Sequence, residues 1–240
     1  MKITFTYFFF LFSVLLIAQN KILVEYSYRN AFDTSKVKDE HLLNLYKNSN
    51  DKTFYYRLLI DGNEAVFEDV QRINNSQETE EPVISGPLGR SYTNLQTKEI
   101  LYEVEYAGKY IIKDSIDQLN WVIERERGKH LGFEIRKATY KNDDLEYEAW
   151  FVPSIPIKFG PQGYGNLPGL IVKFMHYFKN QYGTHQRSYV AENIALNAKI
   201  NVQKPIKGKI ISQKDFNKIV EEQNKKYLEL EENQVETKLD

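Results

Sequence analysis

Four histidines, His41, His130, His176 and His185, and a few closely spaced glutamates are the side chains of this 240-residue chain best suited to chemistry. No two histidines have the spacing of a helical metal pair. His176 and His185 flank a turn at 179–184, so a hairpin could set them near each other across two strands. Glu146 and Glu148, like Glu103 and Glu105, sit two apart on one strand face. Paired carboxylates do acid–base work when one of them is desolvated, but on an amphipathic strand they usually mark the water-facing side. The chain has no nucleophile elbow, no zincin helix and no phosphate-cradling glycine loop ahead of a helix. It also has no cysteine, which excludes disulfides, thiolate metal sites and a cysteine nucleophile. These residues give no catalytic signature and call for neither a cofactor nor a metal.

The densest signal is backbone chemistry. Gly160-Pro161-Gln162-Gly163-Tyr164-Gly165-Asn166-Leu167-Pro168-Gly169-Leu170-Ile171 packs prolines and glycines between segments that read as long strands. Proline fixes φ and glycine opens conformations closed to other residues, so the stretch dictates an unusual path. Leu167-Pro168-Gly169-Leu170 has proline and glycine where a type II β-turn demands them. Its plain reading is a stiff reversal of the chain. Its functional reading is a rigid loop at the rim of a curved sheet, where Trp150, Tyr164, Asn166, Pro168 and Gly169 are the candidate ligand contacts.

The elements around this loop read as strands. Ile22, Val24, Tyr26 and Tyr28 alternate with polar residues, and Phe54–Ile60 and Glu64–Val70 flank an Asp-Gly turn, a strong hairpin signal. Glu99–Tyr106 and Tyr110–Ile112 make a second hairpin. Segments from Trp121, Leu131, Leu145, Leu170 and Gln186 continue as a meander, because their connections are too short for parallel crossovers. Ile200 and Val202 suggest a short edge strand. Residues 30–50 fit a short helix or a loop equally well, and 71–90 read as a surface loop. From Ser212, with Asp215 three residues on, apolar residues fall on one face at helical spacing. The expected fold is mainly β: an antiparallel meander in a strongly curved sheet, half-barrel or barrel, with a C-terminal helix. Its organisation reads as 1–18 signal peptide, 19–211 β domain and 212–240 helix and tail.

Lys2 and the apolar run Ile3–Ile17, followed by Ala18 and polar residues, describe a signal peptide cleaved after Ala18. The run is shorter than the ~20 residues a membrane span needs, and no later window is long and apolar enough. Without a cysteine there is no lipid anchor, so the expectation is a soluble periplasmic or extracellular protein. A net charge of −1 gives no phosphate-binding surface, which argues against nucleic acid. Aromatic residues are 14% of the chain, with 17 Tyr and 14 Phe, and favour a sheet whose rings face inward.

From Trp121 to Ile171 the sequence resembles the GLPGLI family, exported proteins of Gram-negative envelopes. The likeness rests on Trp121, Gly132-Phe133, Lys137-Ala138, Ala149-Trp150-Phe151, Ile155-Pro156, Gly160-Pro161 and Leu167–Ile171 in that order. Asn166 replaces the first glycine of the hexapeptide. Asn is the residue after glycine most able to adopt a left-handed conformation, so the turn survives. Many relatives carry a cysteine where Ile135 stands, and any role of that thiol is absent here. The family has no assigned function, so the resemblance implies an address and a β-rich fold but no catalytic residues. The expected function is non-catalytic binding of a lipophilic or peptide ligand, or of an outer-membrane protein partner. The alternatives are an envelope enzyme using carboxylates or histidines, and a structural assembly module.

Overall fold

The computed structural model describes residues 21–70, 82–86, 89–142 and 145–236; the N-terminal stretch 1–18 and most of the loop expected at 71–90 lie outside them. Alternation decides the strands. In β1 (Lys21–Ala31), Ile22, Val24, Tyr26, Tyr28 and Asn30 are buried and the intervening residues are not. β2 (Phe54–Asp61) and β3 (Glu64–Asp69) follow through the Asp-Gly turn, where Gly62 takes a φ of 61°. β4 (Arg90–Asn94), β5 (Glu99–Glu105) and β6 (Lys109–Ser115) complete a first antiparallel meander. β7 (Val122–His130), β8 (Phe133–Lys141), β9 (Glu146–Val152), β10 (Leu170–Asn180) and β11 (Gly183–Leu196) form a second. β11 pairs with β1, which fuses the two meanders at the middle of one sheet. The fold is mainly β with a C-terminal helix, as the alternation predicts.

Three local expectations change. Residues 40–51 are helical: in α1 (Glu40–Asp51), the Asp39 carboxylate caps the first turn by accepting from the Leu42 amide at 2.7 Å. Ile200 and Val202 form no strand. The edge is instead β12 (Lys209–Ser212), laid parallel to β6, while Val202 packs against the outer cluster of Val66, Tyr92, Leu101 and Ile111. The pattern was misread because the apolar side chain at Val202 serves packing across the outer face, not a ladder. Thirdly, β4 is a strand where no clear alternation announced one.

The path between the meanders forces curvature. In sequence β7 follows β6, yet the sheet order puts ten strand-to-strand steps between them. In a flat sheet that is roughly 48 Å at about 4.8 Å per step. The link Ile116–Trp121 reaches at most about 25 Å when fully extended. The sheet therefore curls until its two ends approach, and remains open, since no ladder joins β7 to β6 or β12 among the described residues. The tip of the β7–β8 hairpin instead reaches back to the middle of the sheet, with His130 Nε2 at 2.7 Å from the Ala191 carbonyl oxygen on β11.

The loop 153–169, between β9 and β10, fills the concave side. Ile155, Phe159 and Leu167 belong to the main core together with Tyr26, Tyr56, Leu58 and Phe67 from the first meander and Phe151 and Phe174 from the second. Tyr26 Oη donates to the Ile171 carbonyl at 2.5 Å, next to a β-bulge between Ile171 and Lys173. The type II turn expected at 167–170 does not form. Gly169 lacks the positive φ it requires, and the Leu170 amide donates to Ile155 O at 3.0 Å. Gly169 is needed for another reason: a Cβ there would run into the Val152 carbonyl oxygen. After Ser212, whose hydroxyl accepts from the Asp215 amide at 3.1 Å, α2 (Gln213–Glu236) docks Phe216 edge-on against Tyr106 and Tyr110.

Gly169→Ala is expected to lower stability by about 1–3 kcal/mol through backbone displacement, read as a lower urea midpoint with an unchanged slope. An unchanged midpoint would show that the β9–β10 crossing has slack.

Candidate functional site

The concave face is written by register. Asn30, Arg187, His176, Tyr147 and Tyr140 face each other in one row across β1, β11, β10, β9 and β8. The next row holds Tyr28, Tyr189, Phe174, Ala149 and Ala138. The two alanines keep the second row shallow, and side chains from loops pack there. Tyr164 stacks on Phe174 with ring centroids 4.1 Å apart, and meets Tyr147 edge-on at 5.3 Å. Trp121 packs against the same core and pins the loop by donating Nε1–H to Gly165 O at 2.9 Å. Burial holds the Tyr164 and Tyr189 phenols well above the ordinary tyrosine range, so both are neutral donors.

The five residues expected to meet a ligand do not converge. Tyr164 is on the concave face. Trp150 is on the convex face, where its Nε1 donates to Glu148 at 2.8 Å and Lys137 lies 5.8 Å from its ring centroid. Asn166 is exposed and takes a φ of 66°, the left-handed conformation anticipated for it, and borders an open cleft of about 450 Å³ with Gly62, Leu95 and Lys158. Pro168 is exposed, and Gly169 is buried against β9. Strand parity explains the split: Trp150 alternates with Ala149 and Phe151, so it must point away from the face they share.

The ionisable candidates are mostly committed elsewhere. Lys137 bridges Glu148 at 2.9 Å and Glu126 at 3.3 Å, and its hydrogen bond to Glu148 raises its pKa. Lys141 pairs with Glu146 at 2.7 Å, Arg90 with Glu103 at 3.4 Å and Lys109 with Glu105 at 3.8 Å. His185 is buried with both ring nitrogens engaged. Nδ1 accepts from the Asp33 amide at 3.0 Å and Nε2 faces Asn180 Oδ1 at 2.7 Å. His176 is not its neighbour in the register, because Phe178 lies between them. Burial and then Arg187 hold His176 below the ordinary imidazole range, so its neutral form stands there at pH 7.

What sequence reasoning passed over is Arg187. It shares strand parity with Tyr189 and Ala191, both buried, so a cation occupies a position the alternation reserves for apolar groups. His176 does the same between Phe174 and Phe178. Those interruptions were the available signal. Arg187 Nε, His176 Nε2 and Tyr189 Oη are buried without a hydrogen-bond partner among the described residues. The Arg187 guanidinium lies 4.8 Å from the centroid of the Phe178 ring. A second concavity of about 370 Å³ lies beyond the loop, between Ser91, Tyr102, Ile112, Gln162 and Phe216. Burial pushes the Tyr102 phenol up to about 12.

The left-handed conformation at position 166 sets a measurable demand. Asn166→Gly is expected to hold or slightly raise stability, whereas Asn166→Val should cost about 1–2 kcal/mol, the left-handed penalty for an L-residue, in a thermal unfolding comparison. Equal midpoints would mean the position relaxes out of its conformation.

Residues 92–173, about a third of the chain, match a family model described as a protein of unknown function (Porph_ging). The matched segment runs from β4 to the start of β10 and contains the whole loop 153–169. No curated protein matches the chain. Among solved structures it is similar to PNGF-II in a C2 crystal form, at a TM-score of 0.54 and 14% identity over 83% of this chain. A second crystal form of PNGF-II, in P21, gives 0.49 and 16% over 81%. The chain spans about a third of the PNGF-II chains, 32% of each. A domain described as an outer-membrane lipoprotein-sorting protein from Vibrio parahaemolyticus is matched over 84% of this chain and 91% of its own, at 9% identity. Its TM-score of 0.24 is too low to carry an argument. Likeness at 14% identity is likeness of fold, and function must come from the site. The chain thus shares its central segment with a family of unknown function and its curled sheet with part of PNGF-II.

Proposed function

We propose that this is an exported, non-catalytic envelope protein of the GLPGLI type that binds a lipophilic or peptide ligand on the concave face of its sheet. The observation that carries this reading is the convergence, on one face, of packed aromatic rings with buried polar atoms that have no partner in the described protein. Aromatic walls with a few placed polar groups are the usual make-up of a small-molecule site. The loop 153–169 supports the reading by holding Tyr164 rigidly against Phe174 and Tyr147, and Tyr164 is the loop residue assigned to ligand contact. Trp150, Asn166, Pro168 and Gly169 take supporting positions in this proposal: one on the convex face, one at a cleft and two shaping the loop. Export rests on the segment 1–18, with residues from 19 as the mature chain and 212–240 as a helical tail. No helix among the described residues is long and apolar enough to cross a membrane.

Expression with the native N-terminus in a Gram-negative host should release the protein by osmotic shock, beginning at Gln19 by N-terminal sequencing. Native mass spectrometry of that material should show a small-molecule adduct that Tyr164→Ala weakens. Full-length protein confined to the cytosol would overturn the export half of the proposal. Adduct-free protein that binds none of the four probes named below would overturn the binding half.

A further inference from the structure

We propose that the concave face carries an anion site centred on the Arg187 guanidinium, which receives the carboxylate of a ligand whose apolar body meets the partly exposed rings of Phe178 and Tyr164. This names the ligand class of the site read above as ligand-binding, and it rests on that reading.

Charge bookkeeping comes first. Desolvating a cation is costly unless it is paired, and Arg187, partly exposed as a residue, has its Nε buried. Among the described residues no carboxylate forms an ion pair with Arg187, although lysines and arginines on the convex face, such as Arg57 and Lys137, have theirs. Arg187 acts electrostatically on Tyr28, His176, His185 and Tyr189, none of them an acid at neutral pH. Among the described residues the acid acting on this set is Asp33, through His185, and Arg187 holds a permanent positive charge with no carboxylate bonded to it there.

Hydrogen-bond chemistry sharpens the choice. Arg187 faces His176 directly across the β10–β11 ladder, and Tyr189 lies two residues along on the same side. Their unpartnered atoms are Arg187 Nε, His176 Nε2 and Tyr189 Oη. Arg187 Nε–H and the phenol are donors, and neutral imidazole donates from Nε2 in one tautomer. One cation flanked by two neutral groups able to donate matches an acceptor-rich anion and repels a metal ion or an ammonium group. The Arg187 Cζ lies over the Phe178 ring, 4.8 Å from its centroid, and a guanidinium is the group suited to bidentate contact with a carboxylate. A single cation beside two neutral donors balances a monoanion; a phosphate dianion would leave a charge uncompensated.

The apolar half of the ligand follows from the row beside the cation. Tyr147 contacts His176 edge-on at 4.9 Å and Phe174 at 5.3 Å, and Tyr164 stacks on Phe174. Tyr147 and Phe174 are buried beneath this packing, so the apolar surface beside the charge is that of the partly exposed Phe178 and Tyr164. It suits an acyl chain or the aromatic side chain of a peptide C-terminus, and carboxylate is common to both.

Isothermal titration calorimetry tests this with two acids, dodecanoate at monomeric concentration and N-acetyl-phenylalanine. Each is paired with its uncharged analogue, dodecanol and N-acetyl-phenylalaninamide. At least one acid should bind tenfold or more tightly than its analogue, and which acid does so tells an acyl chain from a peptide terminus. Arg187→Met should abolish that preference while leaving the analogue's affinity unchanged. Removing an unpaired cation should not lower the thermal midpoint, so loss of binding in that variant is not loss of fold. Arg187→Lys, which keeps the charge without the fork, should fall between. Equal affinity of acid and analogue, or a preference that survives Arg187→Met, overturns the anion site and leaves a purely apolar one. Failure of all four probes on the native protein overturns the ligand-binding reading, and the anion site with it.

Discussion

A link of six residues, Ile116–Trp121, has to carry the chain from one half of a twelve-stranded sheet to the far edge of the other. It has about half the reach that a flat sheet would demand, so the sheet bends to meet it. Curvature then creates a concave interior, and an interior lined by Tyr26, Tyr56, Phe67 and Phe174 must be filled or the apolar surface is wasted on water. The loop 153–169 is the filling. Its composition is intelligible on those terms. A Cβ at Gly165 would meet the Lys158 carbonyl, and one at Gly169 the Val152 carbonyl, so the chain can fold back on itself at close range only where side chains are missing.

The filling is also fastened with polar bonds. Tyr26 donates to the Ile171 carbonyl from two strands away, and Trp121 donates to Gly165 from the link itself. Each bond satisfies a backbone acceptor that the irregular path has taken out of a ladder, and leaving such a group unpaired would cost about 1–3 kcal/mol. The second bond joins the element that enforces curvature to the element that fills it. A change that loosened the link would therefore disturb the loop, and Tyr164 with it.

Much of this could be read from the chain. Period-two alternation located β1, β2 and β8 to β11, because one face of each strand is the more deeply buried, whereas β3 buries both faces and β7 buries neither. The Asp-Gly turn after β2 was legible because only a few residues tolerate its backbone. What escaped was whatever depends on partners distant in sequence. Short β4 carries too few residues to show a period. β12 is held by a parallel partner about a hundred residues away, at Tyr110–Lys113. Gly169 was read as a turn glycine from its local neighbours, whereas its reason is a carbonyl on β9. For the site, the loop drew attention by its composition, but the parity that sends Trp150 outward and Tyr164 inward needed the ladder register.

The same parity explains why the polar cluster lies where it does. Along β10 the concave positions run Ile171, Phe174, His176 and Phe178, and along β11 they run His185, Arg187, Tyr189 and Ala191. The loop covers the end with Ile171 and Ala191, where every inward residue is apolar and buried. At the other end α1 and its neighbours cover Phe178 and His185, with Tyr46 stacked on Phe32 and both nitrogens of His185 engaged. Between these two plugs lie His176 and Arg187, both partly exposed, in the row that Asn30 ties to the Ile84 carbonyl of the segment 82–86. A charged residue on the inward parity costs least where covering elements leave a gap, and it is also there that a molecule from outside can reach it. Stability and access therefore select the same two positions, which is why the interruption of the apolar pattern coincides with partial exposure.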